Sequence, residues 1–494
     1  MEKYVLSIDQ GTTSSRAILF DKHSHLIEKS QREIKLVYPH NGWVEADPIE
    51  IWISVLECVN EVLIKANITI DDVECIGITN QRESVVVFDK NTGKPVYNSI
   101  IWQSRQSAEI CDRFEDKSDF IYERTGLKIN PYFSASKIKF ILENVPGVKE
   151  KYENDELYAG TIDSWILYKL TNKKCFKTDV SNACRTMLFN INTLSYDKEL
   201  LDLFGIKESI LPKVQDSSSF FGHAEIFKSK VPITSIVGDQ QAALFGQTCF
   251  AKGEFKNTYG TGCFLLLNTG DKPIFSKNGL LTSVGWKIGD KVCYILEGSI
   301  FIGGASVQWL RDNLKCIEHA SESEELALKV HSSRGVYFVP AFVGLGAPYW
   351  DDDVRGAIFN LTKSTTINHI ARATLEAIAY QTRDVFEVMK TEFGGCPVNL
   401  KADGGATAND YLMQFQSDLL GISVSTAMHA ETTALGAAYL AGLHTGYFKN
   451  CEEIRSIYKP TKTFVPEMAK EVVEDMYEGW KKAVRTAQQF KHEN

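Results

Sequence analysis

A carboxylate followed by a run of small hydroxylated residues stands near the start of the chain, in the segment DQGTTSSR at residues 9–16. Carboxylate oxygen suits Mg²⁺, and the hydroxyl and backbone N–H groups of a turn bind phosphoryl oxygens. Arg16 adds a positive charge that neutralises charge on a transferred phosphoryl group. Taken alone, the segment is typical either of a magnesium nucleotide site built around Asp9 or of a plain hairpin turn with polar tips.

A similar turn, Gly260-Thr261-Gly262, stands in the second half of the chain between two predicted strands at residues 255–259 and 264–268. Two such turns, one in each half, can hold a triphosphate from both sides of a cleft, so the repetition favours phosphate binding over two unrelated hairpins. The sequence has no G-x-x-x-x-G-K-S/T loop and no G-x-G-x-x-G after a strand, which excludes the two common nucleotide-binding motifs. Zinc-type H-E-x-x-H and paired Cys/His spacings are also absent.

Three further groups combine polar side chains with the end of a predicted strand. Asp239 follows an apolar run and precedes a helix, so it is either the N-cap of that helix or a general base for a substrate hydroxyl. Arg82 and Glu83 form either a surface ion pair or a recognition pair for a polyol, because Arg donates and Glu accepts hydrogen bonds. The small residues at 404–409 leave room beside the backbone for adenine or ribose.

Positioning these groups requires alternating strands and helices, and the hydrophobic pattern predicts both. The first helix has Asp47 as its N-cap and Pro48 at its first position. Its apolar face consists of Trp52, Val55, Leu56, Val59 and Val62. Strands are predicted at residues 4–9, 16–21, 26–36, 73–79, 84–88, 99–102, 255–259, 264–268, 292–296, 336–339 and 400–403. Further helices are predicted after residue 105 and at 304–314, 368–391, 409–420 and 468–491.

The length of 494 residues predicts two large domains or one duplicated unit, because a single core stops growing at about 250–300 residues. Strand, Gly/Thr turn and strand occur in each half, which favours duplication. The boundary is expected near residues 246–254, where no low-complexity linker occurs, so the halves should touch extensively and move by a hinge. The helix at 468–491 is expected to dock on the second half.

The composition of the chain limits the kinds of molecule that it is expected to bind. The net charge of −9 argues against a nucleic-acid or anionic-membrane binder and favours a small substrate. The eleven cysteines are scattered without a C-x-x-C pair, which indicates free thiols in a reducing compartment. The N-terminus has no charged leader before an apolar stretch, and no apolar run approaches the ~20 residues that span a bilayer. We therefore expect a soluble cytoplasmic protein without membrane insertion.

Long segments of the chain together resemble the FGGY family of carbohydrate kinases, and most closely its glycerol-phosphorylating members. The segments are DQGTTSSRA, GITNQRE, IIWQSR, TGLKINPYFSASK, SNACRTMLFNI, GDQQAALFGQ, NTYGTGCF and DGGATAND. The resemblance implies an α/β fold of two duplicated ribonuclease-H-like (actin-like ATPase) domains with the active site in the cleft between them. The expected domains are residues 1–250, with the acceptor and part of the phosphate site, and 251–494, with the nucleotide site.

The same resemblance implies transfer of a phosphoryl group from ATP, with Mg²⁺, to glycerol, giving sn-glycerol 3-phosphate. Asp239 is the implied general base and shares the metal with Asp9. The implied acceptor residues are Arg82, Glu83, Tyr132, Asp239 and Gln240, with Trp102 and Phe264 as an aromatic wall. The implied nucleotide residues are Thr12, Thr13, Ser14, Arg16, Thr261, Gly304, Gln308, Gly405 and Asn409. Family members commonly form homodimers or homotetramers, and no nucleic-acid partner is implied.

Two alternatives remain at this point: a related kinase for a pentulose or other polyol, and an actin-like or chaperone-like ATPase.

The chain also departs from the family pattern in places. Phe140 stands where a common family signature has Trp, and Asn360 stands where another has Gly; Phe140 keeps an apolar ring, and Asn tolerates positive φ. Residues 225–230 match neither a Gly-rich loop for a sugar bisphosphate nor a histidine that a carrier protein phosphorylates, so neither kind of regulation is expected.

Overall fold

The computed structural model describes residues 3–490. Its strands are β1 Tyr4–Gln10, β2 Ser14–Phe20, β3 Leu26–Glu33, β4 Leu36–Val37, β5 Glu45–Ala46, β6 Val73–Asn80, β7 Val85–Asp89, β8 Ser99–Ile100, β9 Leu157–Thr161, β10 Lys177–Asp179, β11 Phe189–Asn190, β12 Ser195–Tyr196, β13 Lys213–Gln215, β14 Ser218–Ala224, β15 Val231–Gly238, β16 Phe255–Tyr259, β17 Cys263–Gly270, β18 Leu281–Ile288, β19 Lys291–Ile300, β20 Tyr337–Val339, β21 Ala357–Phe359, β22 Asn399–Asp403, β23 Ser423–Thr426 and β24 Thr463–Phe464.

Helices connect and cover these strands. They are α1 Pro48–Lys65, α2 Ala108–Asp112, α3 Ser118–Thr125, α4 Ser134–Asn144, α5 Val148–Glu153, α6 Ile162–Leu170, α7 Val180–Ala183, α8 Lys198–Phe204, α9 Asp239–Gly246, α10 Ala305–Asp312, α11 Glu322–Leu328, α12 Ile367–Phe393, α13 Asp410–Leu420, α14 Thr432–Thr445, α15 Cys451–Ile457 and α16 Lys470–Gln489. In the described part of the chain, no helix has the length and apolar content that crossing a bilayer requires.

The two large sheets repeat one topology. In the first, with strand order β14-β15-β6-β1-β2-β3, the meander β1-β2-β3 is antiparallel and β6 and β15 add in parallel beside β1. In the second, with order β18-β19-β17-β16-β22-β23-β24, the meander β16-β17-β19 is antiparallel and β22 and β23 add in parallel beside β16. The same arrangement in both halves confirms the predicted duplicated α/β fold.

Helices α9 and α14 pack together between the two sheets. Although α14 comes late in the chain, it packs against β6, β15 and β1 of the first sheet. A Cβ atom on Gly436 would lie 1.9 Å from the carbonyl oxygen of Ala242, and one on Gly246 would lie 2.0 Å from that of Thr432. Glycine at both positions is therefore what allows the two helix backbones to meet.

The first helix confirms its predicted start. The Asp47 carboxylate accepts a hydrogen bond from the backbone N–H of Ile49 at 2.8 Å, and Pro48 is the first residue of α1. Of the predicted apolar face, Val55, Val59 and Val62 are buried, while Trp52 and Leu56 are half-buried. The helix thus packs its valine face on the first sheet, as its periodicity indicates.

The prediction of one strand over residues 26–36 is wrong. β3 ends at Glu33, and the chain enters the five-stranded sheet β4-β5-β8-β7-β9 at Leu36. Between them, the backbone N–H of Lys35 donates to Glu50 Oε1 at 3.0 Å instead of to a neighbouring strand. The ladder ends because its partner β2 begins at Ser14, opposite Glu33, and local strand propensity does not report where a partner strand begins or ends.

The last helix docks on the second half of the chain. Trp480 of α16 is buried, and its indole N–H donates to Asp384 of α12 at 2.8 Å, while the Tyr477 hydroxyl donates to the same carboxylate at 2.7 Å. The prediction extended this helix to residue 491, which lies outside the described residues. Within the described residues, the face of α16 that carries Tyr477 and Trp480 packs on α12, which confirms the predicted docking.

Both departures from the family pattern are accommodated. Asn360 has a φ of 63°, so it occupies the left-handed conformation in which Asn replaces Gly at low cost. The ring of Phe140 packs edge-on against Trp43, with the ring centres 5.3 Å apart.

The eleven cysteines are all free thiols, and most of them are buried.

Candidate active site

Asp9 stands on β1 directly before the first phosphate turn. It lies near the end of β1, 5% exposed, and Arg16 Nη1 of the neighbouring strand approaches its Oδ2 to 3.5 Å. Burial raises the pKa of Asp9 to about 7; the charge of Arg16 opposes the shift, and the charges of Glu431 and Asp239 add to it. The turn itself is closed by the backbone N–H of Gly11, which donates to the carbonyl of Ser14 at 2.9 Å.

The hydroxyl residues of this turn differ in exposure. Thr13 is exposed, Thr12 is half-buried and Ser14 is buried. The Thr12 hydroxyl accepts a hydrogen bond from the Trp102 indole N–H at 2.9 Å. This bond joins the predicted phosphate turn to the predicted aromatic wall of the acceptor site.

Asp239 is the first residue of α9 and directly follows β15. Gly238 takes the N-cap position, so the interpretation of Asp239 as the N-cap is wrong. Its Oδ1 accepts from the backbone N–H of Gln240 at 2.7 Å and lies 3.3 Å from Arg82 Nε. Burial raises the pKa of Asp239 to about 6, although the charge of Arg82 opposes the shift. A carboxylate with this pKa is suited to accept a proton near neutral pH.

Arg82 and Glu83 are buried, so their interpretation as a surface pair is wrong. The two Arg82 Nη atoms bind Glu297 at 2.6 Å and 2.9 Å. Glu83 Oε1 accepts from Arg185 Nε at 2.5 Å, and Arg185 also reaches Glu297 at 3.3 Å. Glu83 adopts a φ of 62°, a conformation that non-glycine residues rarely take outside functional sites. Two arginines and two glutamates therefore hold one another in a closed network.

Glu297 is the anionic centre of this network. It is fully buried, and although burial raises its pKa, the charges of Arg185 and Arg82 outweigh burial and hold the pKa at about 2. Gln241 completes the set by accepting from Arg82 Nη1 at 3.2 Å. Because each charge has a hydrogen-bonded partner of opposite sign, the cluster avoids the large cost of an unpaired buried ion.

The rings of Tyr132 and Trp102 pack together beside Arg185 of the charged network. Tyr132 packs edge-on against Trp102, with the ring centres 5.5 Å apart, and the Arg185 guanidinium lies 5.6 Å from the centre of the Tyr132 ring. Phe264 lies on β17, half-buried against the apolar cluster around α9 and α14. Among residues 3–490, no ring contact joins Phe264 to the other two, so the structure brings together only part of the predicted aromatic wall.

A buried lysine connects the predicted base segment to the second half. Lys256 Nζ donates to Gln240 Oε1 at 2.6 Å and to the Thr258 hydroxyl at 2.7 Å. Burial lowers the pKa of Lys256 to about 8, while the charges of Asp403 and Asp239 oppose the shift. The side chain of the predicted acceptor residue Gln240 is thereby tied to the strand that leads into the second phosphate turn.

The second turn rests on the start of α10. The backbone N–H of Gly304 donates to the carbonyl of Gly260 at 2.8 Å, and that of Gly303 donates to Thr261 at the same distance. Gln308 lies one turn further along α10 and is exposed. Thr261, Gly304 and Gln308 therefore belong to one local unit, as their assignment to the nucleotide requires.

Gly405 and Asn409 lie between β22 and α13. The preceding Gly404 has a φ of 92°, and a Cβ atom there would lie 2.4 Å from the carbonyl oxygen of Tyr259, next to the second phosphate turn. A Cβ atom on Gly405 would meet open space. The Asn409 side chain accepts from the backbone N–H of Leu412 at 2.8 Å and caps α13. Asn409 thus has a structural role beside its predicted nucleotide role.

The residues present fit a magnesium ion bound together with phosphate. In the described part of the chain, no cluster of three or more His, Cys, Asp or Glu side chains forms a metal cage. Asp9 and Asp239 are near enough that the charge of one raises the pKa of the other. Mg²⁺ is typically held by one or two carboxylates, substrate phosphates and water, so two hard oxygen donors suit it.

Four charged residues of the site were not identified from the sequence. Glu297 could have been found from the sequence, because it directly follows the apolar run at residues 292–296 in β19. Lys256 shares its short strand with Asn257 and Thr258 and does not stand out in that way. Arg185 and Glu431 lie in loops, where the hydrophobic pattern gives no indication of them, although Arg185 stands within the family-like segment SNACRTMLFNI. Glu431 accepts from Lys29 at 3.0 Å and lies 3.7 Å from Arg16, so it ties the second half of the chain to the first phosphate turn.

A cavity of about 580 Å³ lies outside this set of residues. It is lined by Asn130 and Pro131, which precede Tyr132, and by Arg105, Lys128 and Lys277 among others. Its walls include none of the predicted site residues. The chemistry is therefore concentrated in the buried polar cluster around Asp239 and not in this open cavity.

Comparison with known proteins assigns both halves of the chain. Residues 4–246 match the N-terminal domain of the FGGY family of carbohydrate kinases, and residues 255–444 match the C-terminal domain of the same family. Together these matches cover far more than half of the chain.

Individual relatives match over nearly their full length. The chain is 56% identical to glycerol kinase 2 of Thermotoga maritima, covering 98% of both proteins. It is 54% identical to a glycerol kinase of Geobacillus sp. strain WCH70, covering 99% of this chain and 100% of the relative. Among solved structures, the glycerol kinase of Plasmodium falciparum with ADP matches with a TM-score of 0.92 at 37% identity, covering 98% of both chains.

Proposed function

Because the chain belongs to the FGGY family of carbohydrate kinases, we propose that it transfers the γ-phosphoryl group of ATP to glycerol and releases sn-glycerol 3-phosphate and ADP. The observation that carries the proposal is the position of Asp239, a carboxylate beside Arg82 and within electrostatic reach of Asp9. The relatives named glycerol kinase, at 54% and 56% identity, support glycerol as the acceptor.

Asp239 acts as the general base. It accepts the proton of a terminal hydroxyl while that oxygen attacks the γ-phosphorus and the bond between phosphorus and the ADP oxygen breaks. A pKa of about 6 leaves most of this carboxylate ionised at neutral pH. Arg82 Nε, 3.3 Å from Asp239 Oδ1, keeps the carboxylate oriented. Positioning of this kind supplies much of the rate in phosphoryl transfer.

The acceptor lies between charged groups and rings. Arg82 donates to glycerol hydroxyls and Glu83 accepts from them, which recognises neighbouring hydroxyl groups. Trp102, Tyr132 and Phe264 face the carbon backbone of the acceptor, and Gln240 binds a further hydroxyl. Because Trp102 also donates to Thr12, the acceptor wall and the first phosphate turn keep a constant spacing.

The two turns bind the nucleotide from opposite sides of the cleft. Hydroxyl and backbone donors of the turns bind the phosphates, and Arg16 neutralises charge that develops on the transferred group. The nucleotide residues are Thr12, Thr13, Ser14, Arg16, Thr261, Gly304, Gln308, Gly405 and Asn409. Asp9 and Asp239 would hold Mg²⁺, which when bound neutralises phosphoryl oxygens.

Three parallel reactions test this function. Purified protein is incubated with ATP and Mg²⁺ and with glycerol, with a pentulose, or with no acceptor, and ADP release is measured. We expect rapid release only with glycerol, because the buried Arg82 and Glu83 pair suits a small triol. Faster release with the pentulose would identify the alternative kinase, and release independent of any acceptor would identify an actin-like or chaperone-like ATPase.

Domain limits, assembly and location complete the proposal. We assign residues 1–250 and 251–494 to the two domains, which the family matches at 4–246 and 255–444 support. The enzyme works in the cytoplasm as a homodimer or homotetramer, as family members commonly do, and light scattering of the purified protein measures the assembly. Its partners are glycerol and ATP.

A further inference from the structure

Lys137 of α4 is a fully buried lysine next to the acceptor site. Its Nζ donates to three consecutive backbone carbonyls, those of Pro131 at 2.6 Å, Tyr132 at 2.5 Å and Phe133 at 3.1 Å. An ammonium group has three donors, so these carbonyls satisfy all of them. Buried lysines are rare because removing the charge from water is costly. A residue that holds one short turn at such a cost has a specific role there.

The charged surroundings of Lys137 do not account for its burial. Burial lowers the pKa of Lys137 to about 7, and the charge of Glu83 opposes the shift. Among the described contacts, no carboxylate lies within ion-pair distance of its Nζ. The ammonium is therefore held by carbonyl dipoles, which fixes the backbone that carries them.

The turn that Lys137 holds carries an acceptor residue. The Tyr132 ring packs against Trp102, with centres 5.5 Å apart, and receives the Arg185 guanidinium at 5.6 Å. A shift of the Tyr132 backbone would move this ring relative to both neighbours. The ring position thus depends on a lysine that does not itself line the aromatic wall.

The same helical turn also holds the second acceptor residue. The Ser134 hydroxyl donates to the backbone carbonyl of Glu83 at 2.9 Å. Glu83 needs such support because its φ of 62° is unfavourable for a residue with a side chain. The first turn of α4 therefore fixes Tyr132 through Lys137 and Glu83 through Ser134.

We propose that Lys137 is a positioning residue for the acceptor, acting through the backbone of residues 131–133 to fix the Tyr132 ring against Trp102 and Arg185. The proposal rests on the proposed function, because it assigns Tyr132 to the acceptor. It separates acceptor binding from nucleotide binding, since none of the three carbonyls belongs to a phosphate turn.

The test compares Lys137→Met with Lys139→Met, a matched control on the same helix. Lys139 Nζ contacts a single carbonyl, that of Phe204 at 3.0 Å, and pairs with Glu143 near the surface at 3.1 Å. We expect Lys137→Met to raise the KM for glycerol by about 10- to 100-fold, since misplacing a substrate-positioning group by about 1 Å can cost up to about 100-fold. The KM for ATP should stay unchanged, and the control should change neither constant.

Hydrogen exchange gives a readout that does not depend on the acceptor. The amides of Asn130, Tyr132 and Phe133 should exchange faster in Lys137→Met than in wild type or in Lys139→Met, while those of the phosphate turns should not change; Pro131 has no amide hydrogen. Lys137→Arg, which keeps the charge but has a planar donor group, should give an intermediate KM for glycerol. If Lys137→Met does not fold, the KM for glycerol of Lys137→Arg tests the positioning role in its place.

Failure of the positioning role is distinguishable from failure of the proposed function. A wild-type protein that shows no glycerol-dependent ADP release overturns the proposed function. A wild type active with glycerol whose folded Lys137 variants keep the wild-type KM for glycerol overturns the positioning role. Equal increases in both KM values, or the failure of both variants to fold, also overturn it, because Lys137 would then serve stability alone.

Discussion

At the scale of single residues, buried charge is the feature that separates this site from the rest of the molecule. Arg82, Glu83, Arg185 and Glu297 are all at most 2% exposed and bind one another. Such a network is no more stable than an apolar core of the same volume. Its value is to present Asp239 and the Glu83 carboxylate in one orientation.

Replacing the base tests its role directly. Asp239→Asn keeps the size of the side chain but removes the proton acceptor, so kcat should fall by roughly 10²- to 10⁴-fold while the fold survives. Steady-state kinetics and circular dichroism measure the two effects. Asp202→Asn, an exposed position on α8, is the control and should change neither. Near wild-type turnover in Asp239→Asn would remove Asp239 from the role of base.

The raised pKa values predict how activity changes with pH. Burial raises the pKa of Asp239 to about 6 and that of Asp9 to about 7, and both groups must be ionised to act. Activity should therefore fall as pH decreases through this range, because protonation removes the base and the metal ligand. Metal ions compete with protons, so raising the Mg²⁺ concentration should move the acid limb to lower pH. A limb that does not respond to Mg²⁺ would contradict the metal assignment.

At the scale of elements, the site is made of strand ends, tight turns and helix starts. β1 ends at the first phosphate turn, β15 ends at Gly238 directly before Asp239, and β16 leads into the second phosphate turn. Side chains at these points leave the sheet without disturbing its ladder. The proposed catalytic and binding residues therefore lie where a strand or helix begins or ends, and at these points the hydrophobic periodicity of the sequence is interrupted.

Asn409 caps the start of α13 and is also a proposed nucleotide-binding residue. Asn409→Ala removes the cap of α13 and should lower the free energy of unfolding by about 1 kcal/mol. It should also raise the KM for ATP more than the KM for glycerol. Asn450→Ala is the matched control, since Asn450 caps α15 through the backbone N–H of Glu453 at 2.9 Å.

The two cap variants separate the roles by comparison. Both should lower the midpoint of chemical unfolding to a similar extent, but only Asn409→Ala should weaken ATP binding. An equal effect of both variants on the KM for ATP would show that the change at 409 acts through stability alone.

At the scale of the whole molecule, the two halves meet through backbone contact. Helix α9 carries Asp239 at its first residue, and α14 packs along it at Gly246 and Gly436. Glu431 directly precedes α14 and reaches Arg16 and Lys29 of the first sheet. The position of the base relative to the first phosphate turn therefore depends on how α14 sits between the sheets.

Adding one methyl group at this contact should disturb the active site from a distance. Gly436→Ala places a Cβ atom 1.9 Å from the carbonyl oxygen of Ala242, so the helices must separate. We expect a loss of about 1–3 kcal/mol of stability, the usual cost of overpacking, and a lower kcat. Calorimetry and steady-state kinetics measure the two. Gly395→Ala, an exposed control whose nearest atom would be 3.7 Å away, should leave kcat unchanged.

The sequence by itself determined the features that depend on neighbours along the chain. The two Gly/Thr turns, each between two strands, the acids at strand ends and the Asp47 cap of α1 all follow from local residue types and periodicity. Turn and cap chemistry acts over a few residues, so a reader of the sequence can recognise it. The strand predicted over residues 26–36 is shorter in the structure, because its partner β2 begins opposite Glu33 and the end of a partner strand is not a local property of the sequence.

Only the tertiary structure decided which charges belong together. Arg82 and Glu297 are 215 residues apart in the sequence, and Arg185 and Glu83 are 102 apart, yet each pair shares a hydrogen bond in the buried network. The burial that raises the pKa of Asp239 and the contact of α9 with α14 likewise arise when distant segments pack. Hydrophobic periodicity reports which face of an element is buried but not against what, and that partner decides the chemistry.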